Sequence, residues 1–119
     1  MRTFRFLELP VYKDGKSFYR KCLFLTKNLN KQYWELGDQL RRAALSVCLN
    51  IAEGSAKYSD KDFKRFLENS LGSINEAIAC LDIAYDNSLI KKATYEDLKV
   101  LAESITKQLE GLAKKLRSS

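Results

Sequence analysis

Histidine is absent from all 119 residues. Its absence removes the usual neutral-pH general base and the commonest metal ligand. No glycine-rich phosphate loop compensates, and no spacing of Asp, Glu, Lys or Cys suggests a catalytic set. The chain is therefore read as non-enzymatic, with neither cofactor nor metal. Proline occurs once, at Pro10, so nothing beyond that point is forced to break a helix by proline. Cysteine is scarce: Cys22, Cys48 and Cys80 are an odd number with no CxxC pair. Each falls inside a helical pattern, and they read as reduced packing residues rather than a disulfide framework. No apolar run approaches the length of a membrane span, and the opening MRTFRFLELP has no signal-peptide core. The expectation is a cytoplasmic protein without membrane contact.

What is present is a set of four amphipathic patterns. A composition of 45% hydrophobic and 30% charged residues suits one domain over residues 1–119, large enough to bury a core without staples. Residues 1–9, with Phe4, Phe6, Leu7 and Leu9, are too apolar for a free tail and are expected to pack as an arm. The first helix, 10–29, accepts Pro10 in its first turn and places Val11, Phe18, Cys22, Leu25 and Leu29 on one face. Residues 28–35 form the connection, with Tyr33 and Trp34 expected to cover a bundle end. The second helix spans 36–53, and Gly54 supplies its stop. Ser59 caps the third, 60–88, whose first turn carries Asp60 and Asp62 at the positive end of the dipole. The fourth, 95–117, is expected to start from a capping box at Thr94, with Asp97 in the place of Glu. Four helices on short links predict an all-α, up-down-up-down bundle.

The second helix has more apolar surface than one core can use. At about 100° per residue, Leu36, Leu40, Ala43, Val47 and Ile51 share one face, while Leu45, Leu49 and Ala52 lie nearly opposite. A helix apolar on two sides is normally buried on two sides, so Leu45 and Leu49 are assigned to an interface with another copy. Gly72, on the outward side of the third helix, has two readings: a second contact surface with Ala79, or a mere kink or neutral glycine. Between the apolar faces runs a polar seam of Gln39, Arg42, Ser46, Asn50 and Glu53. Its first reading is a buried hydrogen-bonded network, with Arg42, Asn50 and Glu53 joined, that fixes helix register. In the other reading, Arg41 or Arg42 faces a central opening and contacts phosphate.

The formal net charge of +6 is unevenly placed. Residues 1–34 carry eight Lys or Arg against two acids, residues 35–90 six against nine, and residues 91–119 seven against four. In the first helix Lys13, Lys16, Arg20, Lys27 and Lys31 recur on the side opposite the core. Such a stripe suits a phosphate backbone, and Phe24 and Tyr12 nearby are read as stacking on bases. The bland alternative is a solvated helix face. The fourth helix, equally rich in lysine, pairs Glu103 with Lys107 and Glu110 with Lys114 in the favourable i, i+4 order, so its face is self-neutralising.

Several stretches resemble a known family. LELPVY at Leu7 to Tyr12, QLRRAALS at Gln39 to Ser46, NIAEGSAKYS at Asn50 to Ser59 and FKRFLENSLGS at Phe63 to Ser73 are similar to bacterial four-helix-bundle proteins first noticed in intervening sequences of 23S ribosomal RNA genes. More distantly, they resemble the accessory variability protein of diversity-generating retroelements. Cys48 stands where many members carry proline, which predicts a straighter second helix. The resemblance implies a ring-like homopentamer with a positive surface, no established enzymatic activity and, for the retroelement branch, binding of nucleic acid and a reverse transcriptase. The expected function is an oligomeric scaffold binding RNA or DNA; the alternative is a purely structural assembly or a protein adaptor.

Overall fold

Pro10 opens the first long helix, where its missing N–H is one of the unpaired donors anyway. In the computed structural model, which describes residues 3–116, that helix is α1 (Pro10–Lys27). It is followed by α2 (Trp34–Ser55), α3 (Asp60–Asp86) and α4 (Lys92–Lys115), with short 3-10 turns at Arg5–Glu8 and Lys31–Tyr33. No strand occurs among the described residues. The fourth helix stops at Lys115, with Leu116 extended as its C-cap, short of the expected residue 117; residue 117 itself and the first two residues of the arm lie outside the described residues.

Cross-helix contacts establish the direction of each neighbour. Between α2 and α3 the pairs are Gln39 with Glu76, Ser46 with Ser73 and Val47 with Ser70. As one number rises the other falls, so the two helices are antiparallel. Thr26 beside Gly37 and Gly15 beside Cys48 give the same relation for α1 and α2. Each helix touches two neighbours, whereas the diagonal pairs α1–α3 and α2–α4 keep their described Cα atoms more than 8 Å apart. The centre is filled by fully buried Phe18, Ile51, Leu67, Ile74, Leu81, Ile105 and Leu109. At about 1.5 to 3 kcal/mol for each large apolar side chain buried, this column is the main stabilising term.

Some helix ends obey local chemistry and others tertiary packing. Ser59 Oγ accepts from the Asp62 backbone N–H at 3.1 Å, the expected N-cap. The fourth helix instead starts at Lys92, without a side-chain cap, and Thr94 lies inside it. Buried Tyr95 stacks on Tyr85 at 5.3 Å and donates its hydroxyl hydrogen bond to Asp82 at 3.2 Å. That anchorage holds the first turn in place of a cap. Gly54 is not a stop either: it is buried within α2, which ends at Ser55 with Ala56 as C-cap. A Cβ there would stand 2.7 Å from Phe66 Cβ and 3.0 Å from the Phe63 ring. The glycine lets α2 and α3 approach.

The third helix ends in a Schellman motif. Leu89 N–H bonds to Ala84 C=O and Ser88 N–H to Tyr85 C=O, with Ser88 left-handed at φ 59°. The arm is docked differently from the expectation, since Phe4 and Leu7 stay exposed: Arg5 Nε donates to Ser55 C=O at 3.1 Å and its guanidinium lies 5.2 Å from the centre of the Phe63 ring. Trp34 does not cover a bundle end. It begins α2 and is 61% exposed, on the outward side of that helix.

Candidate nucleic-acid interface

The basic face begins with the amphipathicity of α1. Val11, Phe18 and Cys22 turn inward and are buried, so Lys13, Lys16, Arg20 and Lys27 are carried to the solvent side, and all four are exposed. Over fourteen residues at about 1.5 Å each, the row is roughly 21 Å long. Lys31, predicted as its fifth member, is exposed but sits in the 3-10 turn after α1, because the helix stops at Lys27 and the helical spacing no longer applies. None of these five cations is held in an ion pair with a described carboxylate. Asp14, the acid within the row, is turned toward α4, where it accepts a hydrogen bond from Gln108 Nε2 at 2.8 Å.

The opposite side of the bundle has the other sign. From Phe66 to Ile90 the chain contains Glu68, Glu76, Asp82 and Asp86 and no Lys or Arg. This segment belongs mainly to α3, which stands diagonally across from α1. The charge is thus uneven across the width of the molecule, positive along α1 and negative along α3 beyond its first turns, which carry Lys61, Lys64 and Arg65.

Arg41 and Arg42 do not extend the row. They lie on α2 and share Asp38, at 3.6 Å and 2.9 Å respectively. The polar seam divides likewise. Gln39 donates to Glu76, Ser46 and Ser73 hydroxyls meet at 2.8 Å, and Asn50 Nδ2 donates to Ser46 C=O and Oγ. Arg42, with 75% of its side chain exposed, and Glu53, with 60%, project to water; Glu53 meets only Lys57, at 4.0 Å. The predicted Arg42–Asn50–Glu53 network is therefore corrected: Gln39 and Ser46 reach α3, Asn50 bonds back along its own helix to Ser46, and Arg42 and Glu53 join neither. Ser70, on the inward face of α3, is fully buried and donates to Val47 C=O at 2.8 Å.

Leu45 and Leu49 are 38% and 56% exposed on the outward side of α2, near half-buried Ala52; exposed Trp34 lies about 16 Å from Leu45, at the start of the helix. Gly72 is exposed on α3, with no heavy atom within 4 Å of where a Cβ would stand. On α4, neither Glu103 and Lys107 nor Glu110 and Lys114 close to an ion pair, although their alternation still cancels local charge.

Of the two aromatics assigned to base stacking, Tyr12 is already engaged. Phe6 packs edge-on to it at 4.9 Å and Lys16 Nζ lies 5.1 Å from its ring centre. Phe24 is 71% exposed. It lines a groove of about 710 Å³ between the end of α1 and the start of α4, together with Arg20, Lys21 and Lys91. Lys21 and Lys91 were missed because they are far apart in sequence and only the folding of α4 against α1 brings them together.

The three thiols are packing groups. Burial pushes Cys22 up to about 12, with Cys80 reinforcing the shift, and pushes Cys48 up to about 11 despite the opposing charge of Lys16. All three are free and buried. Among the described residues no group of three or more His, Cys, Asp or Glu is placed to hold a metal ion, and no helix is long and apolar enough to cross a membrane.

Comparison with known proteins fits this architecture. No curated protein matches the chain. A crystal structure of a protein of unknown function from the S23 ribosomal protein family of Bacteroides thetaiotaomicron VPI-5482 is similar, with a TM-score of 0.83 at 24% identity. The match covers 87% of this chain and 98% of that one, and at this identity it bears on the fold alone. By sequence, residues 7–111 match the 23S rRNA-intervening sequence proteins, a span that takes in all of α1, α2 and α3 and most of α4. The chain belongs to the 23S rRNA-intervening sequence protein family.

Proposed function

We propose that this protein is a non-enzymatic cytoplasmic scaffold that binds nucleic acid along α1 and assembles with copies of itself into a ring. The observation that carries the binding is the row Lys13, Lys16, Arg20 and Lys27, exposed and free of described ion-pair partners while its one acid is turned onto α4. Clustered cations of this kind neutralise phosphates and release counterions. Repetition of the row around an oligomer multiplies weak contacts. Trp34, Leu45 and Leu49 on the outer side of α2 support a protein contact, and a second copy is the simplest occupant. The retroelement resemblance adds a pentamer and a nucleic-acid enzyme, such as a reverse transcriptase, as partner.

Four phosphate contacts give an expected log–log salt slope of about −3.6 on duplex or about −2.8 on single strands. Reversing Lys16, Arg20 and Lys27 to Glu is expected to abolish binding with helix content unchanged. The matched reversal of Lys107, Lys114 and Lys115 is expected to weaken it much less. Equal losses would mean that overall charge, not the α1 row, carries binding. Absence of binding by the wild-type protein at low salt would remove nucleic acid and leave the exposed α2 face as the basis for a structural or adaptor role.

A further inference from the structure

The groove between α1 and α4 combines two surfaces that a duplex cannot use together. Its deeper part is aliphatic, with half-buried Leu25, Leu89 and Ile90 and buried Leu98. The Schellman turn that ends α3 releases Leu89 toward this place, so the apolar lining follows from the chain reversal. Its exposed edge carries Arg20, Lys21 and Lys91 against one carboxylate, Asp97.

Phe24 occupies a particular position in this arrangement. It follows Arg20 by four residues and precedes Lys27 by three, so cation, ring and cation form one continuous row on the helix. Unlike Tyr12, whose ring is covered, Phe24 presents its surface to solvent beside the groove. Duplex nucleic acid keeps its bases stacked inside, where such a ring has nothing to meet. A single strand offers unstacked bases between successive phosphates, and base-on-aromatic stacking is tolerant of sequence.

We propose that the α1–α4 groove seats unpaired bases of a single-stranded nucleic acid, one base stacking on Phe24 while Arg20, Lys27 and Lys91 hold the flanking phosphates. This rests on the proposed α1 binding role and narrows it to single strands. An acidic amphipathic peptide has matching charge and can also meet the ring, but as a helix it keeps its acids and its apolar side chains on opposite faces, whereas a single strand sets phosphates and bases in alternation along one line, as this row requires.

The test measures fluorescence anisotropy with a labelled 12-nucleotide oligothymidylate, an abasic strand of equal length and a duplex. For wild type, the thymidylate is expected to bind more tightly than either other probe. Phe24→Ala is expected to weaken thymidylate binding about tenfold, within the range of one base–aromatic stack, while leaving the abasic strand and duplex unaffected. Phe24→Trp is expected to retain binding. Circular dichroism is expected to be unchanged, since the side chain is largely exposed. If Phe24→Ala leaves thymidylate binding intact while the Lys16, Arg20 and Lys27 reversal abolishes it, the groove is excluded and the basic row survives. If Phe24→Ala weakens all three probes equally, stacking is excluded. If no oligonucleotide binds and an acidic amphipathic peptide does so in a Phe24-dependent way, both the single-strand proposal and the nucleic-acid reading fall.

Discussion

Replacing Gly54 by Ala places a methyl group where α2 packs tightly on Phe63 and Phe66 of α3. In an ordinary helix interior this substitution is favourable by about 0.5 to 1 kcal/mol, because Ala loses less backbone freedom on folding than Gly. Here the new Cβ would stand 2.7 Å from Phe66 Cβ and 3.0 Å from Phe63 Cδ1. Carbon atoms prefer about 3.5 to 4.0 Å, so the methyl intrudes by roughly an ångström. A ring can rotate, but Phe66 Cβ is one bond from the α3 backbone. Relief therefore requires the helices to part, disturbing the nearby Ser70 to Val47 hydrogen bond. Overpacking of this kind costs about 1 to 3 kcal/mol, which exceeds the propensity gain. The net expectation is a loss of roughly 1 to 2 kcal/mol and a fall in Tm of about 5 °C. Gly72→Ala is the internal control: nothing lies within 4 Å, so it is expected to raise stability by about 0.5 to 1 kcal/mol. Both are read by thermal and urea unfolding at one fixed protein concentration, since assembly shifts apparent stability. A Gly54→Ala protein as stable as the wild type would refute the close-approach argument.

Two further outcomes are expected. Leu45→Asp with Leu49→Asp should dissociate any oligomer while helix content survives, because both side chains face away from the bundle's own core; a wild-type protein that sediments as a monomer at micromolar concentration would remove the assembly from the proposal. Stability should hold up to about pH 9 and fall above it. The Cys22 and Cys48 thiols, raised in the folded state from their ordinary 9.0 to about 12 and about 11, ionise first in the unfolded chain, and each draws the protein toward it at about 1.4 kcal/mol per pH unit. Cys22→Ala should lessen this slope and leave the share of Cys48, and rapid labelling of native Cys22 by a thiol reagent at pH 8 would contradict its burial.

The number of helices, their inward residues and their order were legible because each core face repeats at 3.6 residues over many turns. Ser59 was legible as a cap because its bond reaches only three residues along the chain. The basic row of α1 was visible for the same reason of local periodicity, as far as Lys27. Features that depend on a second element were not. Gly54 carries the sequence signature of a helix end, yet its role is set by Phe63 and Phe66 on α3. Thr94 satisfies a capping pattern, but burial of Tyr95 against α3 moves the start of α4. Arg42 and Glu53 share a seam with Asn50 in projection, but Arg42 pairs with Asp38 and Glu53 with Lys57 at the surface, while Asn50 bonds to Ser46. The groove at Phe24 needed Lys21 and Lys91 to meet across most of the chain. Sequence periodicity thus determined which side of each helix turns inward, since that follows from backbone geometry alone. Tertiary structure decided how closely the helices approach and which surface residues become neighbours, because both depend on side chains that the chain brings together only after it has reversed direction.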